Sequence, residues 1–191
     1  MPVAAIPFTK VHITGREAEY MRQVIESGRF AGDGPFTRRC EDWLKGAIGS
    51  ARAFLTTSGT AALEMAAILA GIGPGDEVIL PSFTFASTAN AFVLRGAVPV
   101  FVDIEPHTLN LDPVQVDLAL SNRTRAVVPM HYAGVGCDMK AILDLARRAD
   151  AVVIEDAAQG LLSTWEGLSF LTPSAAAALR SPPPKRLAAT G

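Results

Sequence analysis

At 191 residues the chain is long enough for one sizeable domain or for most of a larger one. Its 49% hydrophobic and 19% charged residues and formal net charge of -2 are ordinary for a globular protein. They argue against a general nucleic-acid binder, which needs clustered Lys and Arg.

The opening MPVAAIPFTK lacks the basic segment and long apolar run of a signal peptide, and no stretch is apolar enough for a membrane span. Cys40 and Cys137 form no CxxC pair, and with three scattered histidines they make no zinc pattern. Two reduced thiols in a cytosolic protein are expected.

Thr14 and Glu17 have capping-box spacing, and Met21, Val24 and Ile25 recur at helical period before Gly28. GRFAGDGPF (28–36) is a glycine-rich loop. A second helix follows, with Phe36, Cys40, Trp43, Leu44 and Ile48 on one face and Gly49 as its stop. Residues 1–50 therefore read as a helical N-terminal segment.

From residue 53 strands and helices alternate. AFLTT, GPGDEVILP, VPVFVDI, TRAVVPMH and AVVIEDA carry the strands. TAALEMAAILAGI, STANAFVLRG, DPVQVDLALS (capped by Asp112) and DMKAILDLARRA carry the helices. The strand runs are continuously apolar, as expected when both faces of a sheet are covered. Residues 51–167 thus predict an α/β domain with a mainly parallel sheet flanked by helices. Residues 168–191, with an alanine run and a triple proline, predict a disordered or weakly helical tail.

TTSGTAAL places Ser58, Gly59 and Thr60 between a strand and a helix start. The first amides of a helix lack internal partners and carry the positive end of its dipole, so they suit a phosphate. An ordinary N-cap is the plainer account of the same residues. GIGPGD (71–76) follows a helix and is a turn. Asp156 ends a strand, where ligands of open α/β sheets bind, and a carboxylate there needs a cation or several donors. Phe83 and Phe85 follow another strand, and one of them could stack on a planar ring. His131 and Tyr132, also after a strand, are candidate substrate contacts. Together these features suit pyridoxal phosphate, which needs a phosphate seat, a stacking ring and an acid for its pyridine nitrogen.

Residues 6 to about 167 resemble the first half of a DegT/DnrJ-type sugar-nucleotide aminotransferase of the fold type I pyridoxal phosphate superfamily. The motifs that carry the resemblance are GDGPFTRRCEDWL, TTSGTAALEMAA, GPGDEVILPSFTFASTANAFVLRGAVPVFVDI, HYAGVGCDM and VVIEDAAQG. It implies that Gly59, Thr60 and Ala61 hold the cofactor phosphate and that Phe85 stacks on the ring. Asp156 would bind the ring nitrogen and Gln159 would lie beside the ring hydroxyl. It further implies transfer of an amino group from glutamate to C4 of dTDP-4-keto-6-deoxyglucose, for polysaccharide or amino-sugar synthesis, by a cytoplasmic homodimer.

The family's next landmark is a Ser-Phe-His segment ending in a Lys-Asn pair, whose lysine forms the internal aldimine. It has no counterpart after STWEG. Lys185 lies 29 residues after Asp156, near the family's spacing, but in the unrelated context RSPPPKRLA. The expectation is a truncated large domain with an out-of-frame or degraded end. A non-catalytic remnant is then the alternative to an active transaminase. The dehydratase branch, with histidine in place of the lysine, finds no support, because no histidine follows His131.

Overall fold

The computed structural model describes residues 11–161, 163–165, 168–169 and 186–189. The chain divides after Arg39 into two units. In the first, α1 (Glu17–Ser27) buries no residue. Glu17 turns back to accept from the Thr14 amide at 2.7 Å and the Gly15 amide at 2.9 Å. Only the Glu half of the expected capping box forms. Tyr20 meets Phe36 edge to face at 5.5 Å, and the Arg39 guanidinium sits 5.2 Å from the Phe36 ring centre. Phe36 and Arg39 belong to α2 (Pro35–Ile48), which runs through the division.

The second unit is the α/β domain that the alternating pattern predicts. Its helices are α3 (Gly59–Leu69), α4 (Ala86–Val93), α5 (Pro113–Ala119) and α6 (Met139–Arg148). Its first four strands are β1 (Glu77–Pro81), β2 (Val98–Val102), β3 (Thr124–Val127) and β4 (Val152–Asp156). A short antiparallel pair, β5 (Thr164–Trp165) and β6 (Leu168–Ser169), follows, and then β7 (Arg186–Ala189). The main sheet runs β2-β1-β3-β4-β7, parallel at every pairing.

Helices cover both faces, so β1 and β4 are buried along their whole length. On one face Leu63, Ala66 and Ala67 of α3 and Ala89, Ala91 and Phe92 of α4 pack with Val78, Leu80, Val152 and Ile154. On the other, Val116 of α5 and Met139, Ile142 and Leu145 of α6 pack with Ile79, Val127 and Val153. The helix starts follow side-chain chemistry. Asp112 accepts from the Val114 amide at 2.8 Å and Asp138 from the Ala141 amide at 3.0 Å.

Two expectations need correction. AFLTT is not a strand: the Leu55 amide donates to the Glu41 carboxylate at 3.1 Å rather than to a ladder partner. Phe54 and Leu55 are exposed. Within the stretch expected to be disordered, residues 186–189 form an edge strand on β4, matched from Val153–Arg186 to Asp156–Ala189. Periodicity gave no hint of it, because a four-residue edge strand is held by backbone bonds that any residue but proline supplies. The same stretch also holds β6, while residues 170–185, Lys185 included, and 190–191 lie outside the described residues.

Candidate active site

A helix that leads into a parallel strand runs back along the sheet, so its N-terminus lies at the sheet's carboxyl edge. The start of α3, the Phe83–Phe85 turn after β1, the His131–Cys137 loop after β3 and the end of β4 therefore share one edge. It is the edge where open parallel sheets bind ligands.

Successive strand residues face opposite ways. Ile154 packs with α3 and α4, so Asp156 faces that side, while Val153 packs with α6 and Glu155 faces the other. The hydrogen bonds agree. Thr88 Oγ1 on α4 donates to Asp156 Oδ2 at 2.8 Å, and the Ala158 amide donates to Oδ1 at 3.2 Å. Thr84 Oγ1 stands 3.1 Å from Thr88 Oγ1, which makes a short hydroxyl chain ending on the carboxylate. Asp156 is buried, and among the described residues no cation pairs with it. Thr84 and Thr88 escaped the sequence reading. No local signal marked them, since Thr84 lies in the turn before α4 and the acceptor of Thr88 is 68 residues away.

At the start of α3, Ser58 Oγ accepts from the Ala61 amide at 3.1 Å. The plain N-cap reading of Ser58 is therefore met, and it occupies one donor expected for a phosphate. Among the described residues the Gly59 and Thr60 amides have no acceptor, and both residues are half-buried. Phe83 lies against Tyr132 with ring centres 4.9 Å apart, whereas Phe85 is 73% exposed at the start of α4. Both rings are exposed, Phe83 at 43%, and Phe85 is the more open of the two.

His131 differs from its expected role as a substrate contact. Its ring is fully buried. Nδ1 accepts from the Cys137 amide at 3.2 Å, which puts the proton on Nε2, 3.0 Å from Glu155 Oε2. Both nitrogens are engaged beneath the edge. Tyr132 is half-buried beside Phe83, and Gln159 is exposed, its Oε1 accepting from the Ala133 amide at 2.7 Å. Among the described residues no group of His, Cys, Asp and Glu is arranged to hold a metal.

Comparison with known proteins gives this geometry its context. The profile of the DegT/DnrJ/EryC1/StrS aminotransferase family matches residues 11–190. The chain belongs to that family. It is 42% identical over 161 residues to the spore coat polysaccharide biosynthesis protein SpsC of Bacillus subtilis, covering 84% of this chain and 41% of the relative. It is 39% identical over 155 residues to GDP-perosamine synthase of Caulobacter vibrioides, covering 81% and 42%. Among solved structures, NtdA of Bacillus subtilis with bound cofactor PMP superposes with a TM-score of 0.79 at 35% identity, over 87% of this chain and 40% of that one. The chain thus spans about two fifths of the length of these relatives.

The residues present fit the cofactor of such aminotransferases. A buried carboxylate with two donors and, among the described residues, no cation suits a protonated pyridine nitrogen, and two helix amides without an acceptor there suit a phosphate. An exposed phenylalanine on the same edge suits a planar ring.

Proposed function

We propose that this chain forms the cofactor-binding part of a pyridoxal-phosphate-dependent sugar aminotransferase. The observation that carries the reading is Asp156, a buried carboxylate at the carboxyl edge with hydroxyl and amide donors but no cation beside it among the described residues. When bound, pyridoxal 5'-phosphate supplies an electron sink. The Gly59 and Thr60 amides seat its phosphate, with Ala61 lining the seat while its own amide stays on Ser58. Phe85 covers the ring, Asp156 keeps the ring nitrogen protonated, and Gln159 faces the ring oxygen. Tyr132, and not His131, remains as the substrate contact.

For the reaction we propose transfer of an amino group from glutamate to a keto sugar nucleotide, in the first instance dTDP-4-keto-6-deoxyglucose, by a cytoplasmic homodimer. The names of the relatives, a spore coat polysaccharide protein and a perosamine synthase, support the sugar class.

Titration of the purified chain with pyridoxal phosphate, followed by borohydride and peptide mass mapping, tests the reading. A saturable absorbance change that Asp156→Asn weakens by tenfold or more supports the pocket, and reduction onto Lys185 makes that residue the covalent partner. Absence of saturable binding overturns the reading. Saturable binding with label scattered over surface lysines favours a chain that binds the cofactor without using it.

A further inference from the structure

The His131–Cys137 loop holds a conformation that its own sequence does not favour. Ala133 has φ 51° and ψ 24°, the left-handed region that costs a residue with a Cβ. Gly134 follows at φ 79°, and a Cβ there would lie 3.2 Å from the Gln159 carbonyl oxygen and from Ser163 Oγ. Such a loop persists only where its surroundings over-determine it.

Its restraints come from a distant part of the chain. Asn110 is 2% exposed and uses both ends of its side-chain amide on this loop. Oδ1 accepts from the Tyr132 amide at 2.9 Å, and Nδ2 donates to the Val135 carbonyl at 3.0 Å. The amide orientation is forced, since a flipped group would face donor to donor and acceptor to acceptor. Asn110 is itself fixed. The Glu105 amide donates to its carbonyl at 2.9 Å, and Ile104 and Leu111 close the turn as an antiparallel bridge. Ala133, the strained residue between the two anchors, points its amide at Gln159 Oε1. With the oxygen of Gln159 engaged there, its Nε2 is the end left to meet a ligand.

We propose that Asn110 is a positioning residue of the site. By clamping Tyr132 and Val135 it aims the Ala133 amide at Gln159 Oε1, and so turns the Gln159 Nε2 donors toward an acceptor oxygen of the ligand. The ligand half of this inference rests on the cofactor reading above. There the acceptor is the phenolic oxygen of pyridoxal phosphate.

Two measurements on the full chain separate the halves. The first is residue-resolved amide exchange without ligand. Asn110→Ala, and Asn110→Asp, which keeps the acceptor but loses the donor, should both speed exchange at Ala133 by about tenfold. Gln159→Ala should do the same, while Gln159→Glu, which retains an acceptor, should leave Ala133 protected. Unchanged exchange at Ala133 in either Asn110 variant overturns the clamp, whatever the ligand.

The second is the ratio of affinities for pyridoxal 5'-phosphate and its 3-deoxy analogue, which lacks the phenolic oxygen. The unsubstituted chain should prefer the former by about tenfold, and Asn110→Ala and Gln159→Glu should abolish the preference. A merely structural role for Asn110 would weaken both compounds alike and leave the ratio, which overturns the aiming. If the unsubstituted chain binds neither compound, the cofactor reading and the aiming at its oxygen fail together, and exchange alone still decides the clamp.

Discussion

Thr88 and Asp156, 68 residues apart in the chain, are joined by a hydrogen bond of 2.8 Å between two buried side chains. Helix α4 and strand β4 therefore meet through a polar contact inside an apolar layer. Thr88→Val should remove the donor while keeping the shape, leaving Asp156 with the Ala158 amide alone among the described residues. We expect a loss of about 1–3 kcal/mol in urea unfolding, with Thr88→Ser recovering most of it. Equal stability of the Val and Ser variants would show that the hydroxyl contributes nothing.

Beneath the same edge, His131 Nε2 and Glu155 Oε2 lie 3.0 Å apart with both side chains fully buried. His131→Phe fills the space but removes a donor to a buried carboxylate, which should cost about 3 kcal/mol. Pairing it with Glu155→Leu should cost less than the sum of the two single changes, as contacting residues do not add. Strict additivity in denaturant titrations would deny the coupling.

The two thiols should behave differently. Cys40 is exposed, whereas Cys137 is buried with Sγ 3.1 Å from the Met130 carbonyl. Burial pushes the Cys137 thiol up from its ordinary 9.0 to about 12, with the Glu155 and Glu105 carboxylates adding to the rise. A folded-state value above the unfolded one means stability that is whole below pH 9 and lost as pH climbs toward 12. Thiol-reactive reagent at neutral pH should label Cys40 quickly and Cys137 only on unfolding. Replacing Cys137 with Ala should reduce the alkaline fall in stability. Rapid labelling of both thiols in the folded chain would contradict the burial.

Helix α1 carries an acid-sensitive end. The Thr14 amide, then Glu17's own amide, and after them the Thr14 hydroxyl and Gly15 amide hold the Glu17 carboxyl down from 4.5 to about 2. A depressed value contributes stability above pH 4.5 that is lost as pH falls toward 2. The first turn of α1 should fray across that window, with amide exchange at Thr14 and Gly15 rising. Glu17→Gln should show faster exchange at neutral pH and little further change with acid.

The sheet's core strands and four of its helices were readable because continuous apolar runs and helical periodicity report burial directly. Asp112 could be placed as a cap for the same local reason, since its partner is the Val114 amide two residues on. Asp156 stood out because a carboxylate ending a buried strand is anomalous, whereas Phe83 and Phe85 were marked together and only the family resemblance favoured Phe85. What stayed hidden depends on partners far along the chain. Asn110 reaches Tyr132, Thr88 reaches Asp156, and His131 turns toward Glu155 and away from the edge. No local pattern marks such pairs, because each is set by which loops the sheet brings together. AFLTT failed for the related reason that a strand needs a neighbour, and composition does not say whether one runs beside it.

Glu155 and Asp156 send adjacent carboxylates to opposite faces of the sheet, one to His131 and one to Thr88. The period of a strand is two, so sliding β4 by one residue would exchange these destinations and strand both acids among apolar side chains. The pair therefore acts as a frame check on the strand. Within Val152–Asp156 a single-residue insertion or deletion should be far less tolerable than substitutions among Val, Ile and Leu, however apolar the inserted residue. Length variation among sequences sharing this arrangement is expected in the loops that follow the strands and not inside β4.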